Sequence, residues 1–164
     1  MASIRRARLE DHREVLALHR ALYLDHRAAV MPPELEILYA YRGFEQVLAE
    51  DVSAMLRNAS TTILLAEDAE AIVGYVSGYV TSAPRRVLSR KGILGDWYVR
   101  ESHRGTGVGR QLTEALMDVF REAGCTVVET STWPFNHGAR AAMGKLGFEE
   151  IQIVYRKHLE EPEP

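Results

Sequence analysis

One stretch constrains the fold more than any other: "ILGDWYVRESHRGTGVGRQLTEALMDVF", residues 93–120. It opens as a β-forming run and passes through a loop with glycines at 105, 107 and 109. It then continues as Val108, Leu112, Ala115, Leu116, Val119 and Phe120, apolar residues at helical spacing. Gly124 ends that helix as a C-cap. A strand, a glycine-rich turn and a helix N-terminus in direct succession make an anion site. The first helical N–H groups have no intrahelical partners, and the helix dipole favours negative charge there. Glycine lets a ligand come close and allows unusual backbone angles.

The rest of the chain supplies layers around that unit. Ile4–Ala7 is expected to be a short strand. Asp11 begins a helix, with Glu14 at capping-box-like spacing, and Val15, Leu18, His19 and Leu22 share one side of it. Pro32 and Pro33 break that helix. A second helix is predicted over Phe44–Leu56, with Phe44, Val47, Leu48, Val52 and Met55 on its apolar side. "TTILLAED" and "AIVGYVSGYV" are predicted strands, joined by a hairpin turn at Asp68–Glu70. "TSAPRRVLSRKG" reads as a solvated basic loop. "CTVVETS" is a predicted strand, and Asn136–Leu146 a helix stopped by Gly147. "FEEIQIVYRKHL" closes the fold as a strand, with residues 160–164 as a frayed tail. The order β-α-α-β-β-β-α-β-α-β predicts an α/β fold, a mixed and largely antiparallel sheet flanked by helices. At 164 residues it fits a single domain, 1–164, and is short for two.

Charge and cysteine content narrow the function classes. The formal charge is −3, with basic and acidic residues interspersed, so no basic face for nucleic acid is expected. No apolar run approaches the ~20 residues of a membrane span, and no leader pattern is visible, so no membrane partner is expected. A single cysteine, Cys125, leaves no internal disulfide framework and suits a reducing, cytoplasmic setting. It is expected to be a small buried hydrophobe. His12, His19 and His26 would share a helix face, but seven helical residues span ~10 Å, too far for one ion to bridge. No metal site is expected.

Spacing separates the candidate anion loops. A Walker loop needs Gly-Lys-Ser/Thr, and here Gly109 is followed by Arg110. A dinucleotide loop starting at Gly105 and Gly107 would need its third glycine at 110, which is arginine. "YVRESHRGTGVGRQL" instead resembles the coenzyme A pyrophosphate loop of GNAT-type N-acetyltransferases, with Arg104, Gly107 and Gly109 on the defining Arg-x-x-Gly-x-Gly positions. "NHGARAAMGKLGF" resembles a later helix of that family, with Asn136, Ala139, Gly147 and Phe148 in register. The resemblance covers about Ile72–Arg156.

That resemblance implies acetyl-coenzyme A as co-substrate, lying between splayed fourth and fifth strands. Its pantetheine would pair with backbone at Trp97, Tyr98 and Val99. Its pyrophosphate would meet Arg104 and the amides of Gly105, Thr106, Gly107, Val108, Gly109 and Arg110. Asn136 would contact the pantetheine arm or neighbouring backbone. A backbone N–H near Val99 would stabilise the oxyanion. A carboxylate should accept the amine's proton, and Asp96 and Glu129 are the candidates, since an acid within a β-run is costly to bury. The implied reaction moves an acetyl group to a primary amine, on a small molecule or a protein. The acceptor side would lie around Tyr23–Tyr41, with Tyr23, Tyr39, Tyr41, Glu34 and Glu36, or these are ordinary surface residues. One departure stands out. The family tyrosine that protonates the leaving thiolate falls at Met143, which has no proton to give. Tyr98 and Tyr155 are the substitutes in sequence. The other reading is a catalytically silent module that binds acetyl-coenzyme A. Edge strands would permit a homodimer.

Overall fold

The computed structural model describes residues 2–159, apart from the side chains of Leu38 and Tyr39. The expected frayed tail, 160–164, lies outside the described residues. Five strands run side by side in chain order: β1 (Ser3–Arg6), β2 (Thr61–Asp68), β3 (Ala71–Ser82), β4 (Arg90–Val99) and β5 (Val127–Glu129). The first four are antiparallel to their neighbours, and β5 joins β4 in parallel.

Both faces of the sheet are covered, which explains the unbroken apolar runs in β2 and β3. Helices α1 (His12–Asp25) and α2 (Phe44–Arg57) pack on one face, with Val15, Leu18, Val52, Ile63, Leu65 and Tyr75 between the layers. Helix α3 (Val108–Glu122) packs on the other, over Leu64, Ala66, Val73, Val76 and Leu94. Alternate β2 residues therefore enter different cores, as the two-residue period of a strand requires. Cys125 is buried in the α3 core, where a small hydrophobe was expected. The α3 layer sits close because two strand positions have no side chain. A Cβ at Gly92 would lie 2.5 Å from the Phe120 ring, and one at Gly78 would lie 2.7 Å from it.

Helix boundaries agree with the spacing, but their causes differ in places. The side chain of Asp11 makes no capping bond to α1. It is held instead by Arg5, at 2.8 Å through both guanidinium nitrogens, and by the Arg8 N–H at 2.7 Å. Helix α1 ends before the prolines. The chain continues through a wide turn at His26–Val30 and a tight 3₁₀ stretch at Pro33–Tyr39. The β2–β3 hairpin turns at Ala69 and Glu70, both in the left-handed region at φ 48° and 66°. Side chains there are unusual, because glycine or asparagine normally fills such turns.

Two strand expectations need correction. The predicted strand 125–131 shrinks to the three residues of β5. The predicted closing strand at 148–159 does not join the sheet, and Ile151, Ile153, Val154 and Tyr155 stand in solvent. β-forming residues make a strand only beside a neighbour with free N–H and C=O groups. This segment pairs with no strand among the described residues. It follows α4 (His137–Lys145) and Gly147, whose φ of 85° ends that helix.

Candidate functional site

The site begins where the sheet comes apart. β4 and β5 share three pairs, Lys91↔Val127, Gly92↔Val128 and Ile93↔Glu129, and no more. β4 continues to Val99 with β3 still on its other side. Two side chains tether the freed edge: Thr130 Oγ1 donates to the Leu94 carbonyl at 3.0 Å, and Arg104 Nε to the Val99 carbonyl at 3.0 Å. Between those tethers the β5 side of β4 pairs with no strand among the described residues. The slot leads to the glycine loop.

At that end the helix is open. Gly105 and Gly107 have φ of 77° and 92°, and a Cβ on either would meet nothing within 4 Å. Gly107 is the N-cap of α3 and offers no side-chain cap. Gln111 is bonded back to the Gly107 carbonyl at 3.0 Å, which leaves the N–H groups of Val108, Gly109 and Arg110 facing outward. Gly109 serves packing instead, since a Cβ there would lie 2.9 Å from the Trp97 ring. Thr106 Oγ1 braces the loop by donating to the His103 carbonyl at 2.6 Å. The buried Trp97 Nε1 has no partner among the described residues. These residues fit an elongated ligand with an anionic end.

The two loop arginines are placed differently. Arg104 donates to Asp25 at 2.7 Å and lies 5.5 Å above the Tyr98 ring, while the Tyr98 hydroxyl donates to the same Asp25 oxygen at 3.1 Å. Asp25 thereby ties the end of α1 to the loop and raises the pKa of Arg104. Arg110 is exposed and paired with Glu114 at 2.7 Å, a bond that water competes for.

A bulge sets the opposite wall. Val76 pairs with Trp97 and Gly78 with Leu94, so two steps on β3 match three on β4. The extra residue resets the alternation. Leu94, Trp97 and Val99 face α3, while Tyr98 packs on the α1 side and Asp96 meets His19 of α1. Ser77 receives the turn: its Oγ accepts from the Asp96 N–H at 2.9 Å and donates to the Asp96 carboxylate at 3.4 Å. A Cβ at Gly95 would lie 3.0 Å from that Oγ, so glycine keeps the bulge tight.

His19 completes the cluster. Its Nδ1 lies 2.8 Å from the Tyr75 hydroxyl and 3.5 Å from Asp96 Oδ2. Its Nε2 is buried without a partner among the described residues. A proton on Nδ1 points a donor toward both oxygens and leaves Nε2 as a bare lone pair. Burial lowers the His19 pKa and raises those of Asp96 and Tyr75. Tyr23 stands edge-on to His19 at 5.1 Å and shares a hydroxyl contact of 3.1 Å with Tyr41. The carboxylates of Asp51 and Asp96 both act electrostatically on Tyr23. The result is an aromatic wall with two acids near it.

The remaining sequence candidates are scattered around these two features. Glu129 is held by Lys91, whose ammonium lies 2.9 Å from both carboxylate oxygens. Asn136 caps α4 by accepting the Ala139 N–H at 3.1 Å and donates to His26 Nε2 at 2.8 Å. Met143 is half-buried on α4, and Tyr155 is exposed. Glu36 pairs with Arg27, Glu34 is exposed, and the Tyr39 side chain lies outside the described residues. His12 contacts Ser53 at 3.0 Å, so the three helix histidines each serve a different partner. A shallow hollow of about 410 Å³ between α1 and α2 is lined by His12, Gln46, Ser53 and Arg57 and holds none of the cluster. Sequence reasoning missed the linking roles of His19, Tyr75 and Asp25. The one available signal was a histidine at an apolar helix position.

A family model described as "Acetyltransferase (GNAT) family" matches residues 15–148. Over 72 residues the chain is 38% identical to the aminoglycoside N(6')-acetyltransferase type 1 of Stenotrophomonas maltophilia; the match covers 43% of this chain and 47%, about half, of that relative. A tetramutant protein from Bacillus halodurans superposes with a TM-score of 0.82 at 22% identity, over 96% of this chain and 99% of that one. The aminoglycoside acetyltransferase AAC(6')-Iy, solved with a bisubstrate analogue of coenzyme A and acetylneamine, superposes at 0.72 with 20% identity, over 96% and 99%. At such identities the two structures speak to the fold. With the family match spanning both the open loop and the splayed strands, the chain belongs to the GNAT acetyltransferase family.

Proposed function

We propose that the chain transfers an acetyl group from acetyl-coenzyme A to a primary amine on a small cationic acceptor. The observation that carries this is the freed edge of β4, which runs from Ile93 directly toward the open N-terminus of α3. A slot with free strand backbone at one end and unbonded N–H groups at the other suits a long donor with a diphosphate. Trp97, Tyr98 and Val99 would align its arm. The loop from Arg104 through Gly105, Thr106, Gly107, Val108 and Gly109 to Arg110 would hold the diphosphate, and Asn136 would steady the α4 side. The AAC(6')-Iy structure, with its analogue of coenzyme A and acetylneamine, supports the same division between donor and amine.

The acceptor amine must lose a proton to attack, and a lysine-like amine holds it with a pKa of ~10.4. Asp96 is the better placed of the two carboxylates, because it lies at the bulge beside His19 whereas Glu129 is already paired with Lys91. Its raised pKa strengthens it as a base once ionised. His19 positions that carboxylate. A backbone N–H at the Val99 end would stabilise the developing oxyanion. The departing thiolate, with an ordinary pKa of ~8.5, takes its proton from solvent, since Met143 has none to give and the Tyr98 hydroxyl is committed to Asp25. Tyr23, Tyr41, Asp51 and Asp96 would receive a cation.

The test is thiol release from acetyl-coenzyme A across aminoglycosides, polyamines and peptide N-termini, beside calorimetric titration of the coenzyme. Release with small polycationic amines supports the proposal. Tight coenzyme binding with no release on any amine would favour the silent binding module, the reading that Met143 keeps open. Absence of coenzyme binding would overturn both.

A further inference from the structure

Both arginines of the glycine loop are matched by acids. Arg110 pairs with Glu114 one turn along α3, in the open. Arg104 is held from three sides. Its Nε donates to the Val99 carbonyl at 3.0 Å, a terminal nitrogen donates to Asp25 at 2.7 Å, and its head lies 5.5 Å above the Tyr98 ring. Tyr98 fixes the carboxylate in turn, its hydroxyl donating to the same Asp25 oxygen at 3.1 Å. Asp25 and Arg104 lie 79 residues apart in sequence, so only the fold brings this pair together.

The grip extends across the slot. Asp25 is the last residue of α1, and the next residue, His26, accepts from the Asn136 side-chain amide at 2.8 Å through Nε2. Consecutive residues thus engage Arg104 on the loop side and Asn136 on the α4 side. A diphosphate at the α3 N-terminus would meet Arg104 with its charge already balanced by Asp25. The guanidinium has five N–H donors, so those that Asp25 leaves could reach a phosphate. Two anions would then crowd one cation, and like charges so placed oppose binding. A phosphate engages Arg104 fully only when the arginine leaves Asp25.

We propose that Asp25 is a built-in rival of the donor's diphosphate for Arg104: its carboxylate holds down the affinity for coenzyme A and takes the arginine back as the spent coenzyme leaves. Coenzyme A as donor, the reading given above, is the premise on which this rests. Asp25 acts through Arg104, without touching the reacting atoms. Its effect falls on dissociation, because affinity differences among variants of one site lie mostly in the off-rate.

Calorimetry at low ionic strength, where exposed charges are least screened, compares coenzyme A with pantetheine, which carries no phosphate. Asp25→Asn keeps the side chain's shape and removes its charge. It should bind coenzyme A about three- to fivefold more tightly, the scale of a half-exposed ion pair, and pantetheine no differently. Glu114→Gln, at the more exposed pair, should change coenzyme A affinity by less than about twofold. In an Arg104→Gln background, Asp25→Asn should have no effect. Unchanged or weaker coenzyme A binding by Asp25→Asn would overturn the proposal, and so would an equal gain for pantetheine or a gain that survives Arg104→Gln. In the native chain the Asp25 carboxylate resonance should shift when coenzyme A is added. An unmoved resonance would overturn the proposal even where the variants fail to fold. A native chain that binds no coenzyme A would sink the donor reading itself, and the proposal with it.

Discussion

His19, from the middle of α1, places its Nδ1 3.5 Å from Oδ2 of Asp96 at the bulge of β4. Burial raises the Asp96 pKa, so its ionised form is the costly one. The stability it contributes is whole below the unfolded value near ~3.9 and is lost as pH rises through the folded value. Asp96→Asn should therefore melt above the native chain at neutral pH, with the gap closing toward acid. The same variant should lose about 10²-fold in thiol release and the acid limb of its pH–rate profile. Thermal denaturation and kinetics across pH check both. A lower melting point at every pH would make Asp96 a structural carboxylate only.

Acid should weaken the fold through two histidines. Burial lowers the pKa of His19 and of His26. Their contribution to stability is present above the unfolded value of ~6.5 and is lost as pH falls through the folded values. Urea midpoints should drop as pH falls below that value. His19→Asn combined with His26→Asn should flatten the slope.

Gly107→Ala separates backbone strain from ligand binding. Alanine at φ 92° costs about 1–2 kcal/mol, and its methyl would stand in the open loop. Gly124→Ala, at φ 78° beyond the other end of α3, is the control for strain alone. Both should lower the melting temperature. Only Gly107→Ala should weaken coenzyme A, by about tenfold, equivalent to about 1.4 kcal/mol by calorimetry.

Gly92→Ala should be among the most damaging single-methyl changes. Its Cβ would lie 2.5 Å from the Phe120 ring, and overpacking of this kind costs about 1–3 kcal/mol. Phe120→Leu alone should also destabilise, through lost packing. Together the two should cost less than their sum, and a denaturant-melt double-mutant cycle reads that coupling.

The layers were legible because period and punctuation agree in them. Gly107, Val108 and Gly124 marked the bounds of α3, and the turn at Asp68–Glu70 fell where the acidic residues placed it. The slot itself was implied only by resemblance, because no local pattern records where two strands cease to pair. Asp96 was visible as an acid in a strand, yet its contact with His19 depends on an extra residue in β4 and on a helix far away in sequence. The segment after Phe148 shows the opposite limit. Its β-forming residues were read as a closing strand, and the structure shows none, because whether a strand forms depends on a neighbour that the pattern does not name.

The bulge at Gly95–Asp96 also makes the place of a length change decide what it does to β4. Removing Gly95 would restore the two-by-two match with β3 and leave Leu94, Trp97 and Val99 facing α3 and Asp96 facing α1. Removing Ile93, in the regular stretch before the bulge, would turn the preceding half over and bring Lys91 to the place of Gly92, against the Phe120 ring. The same loss of one residue would thus spare both compartments at the bulge and interchange them in the regular ladder.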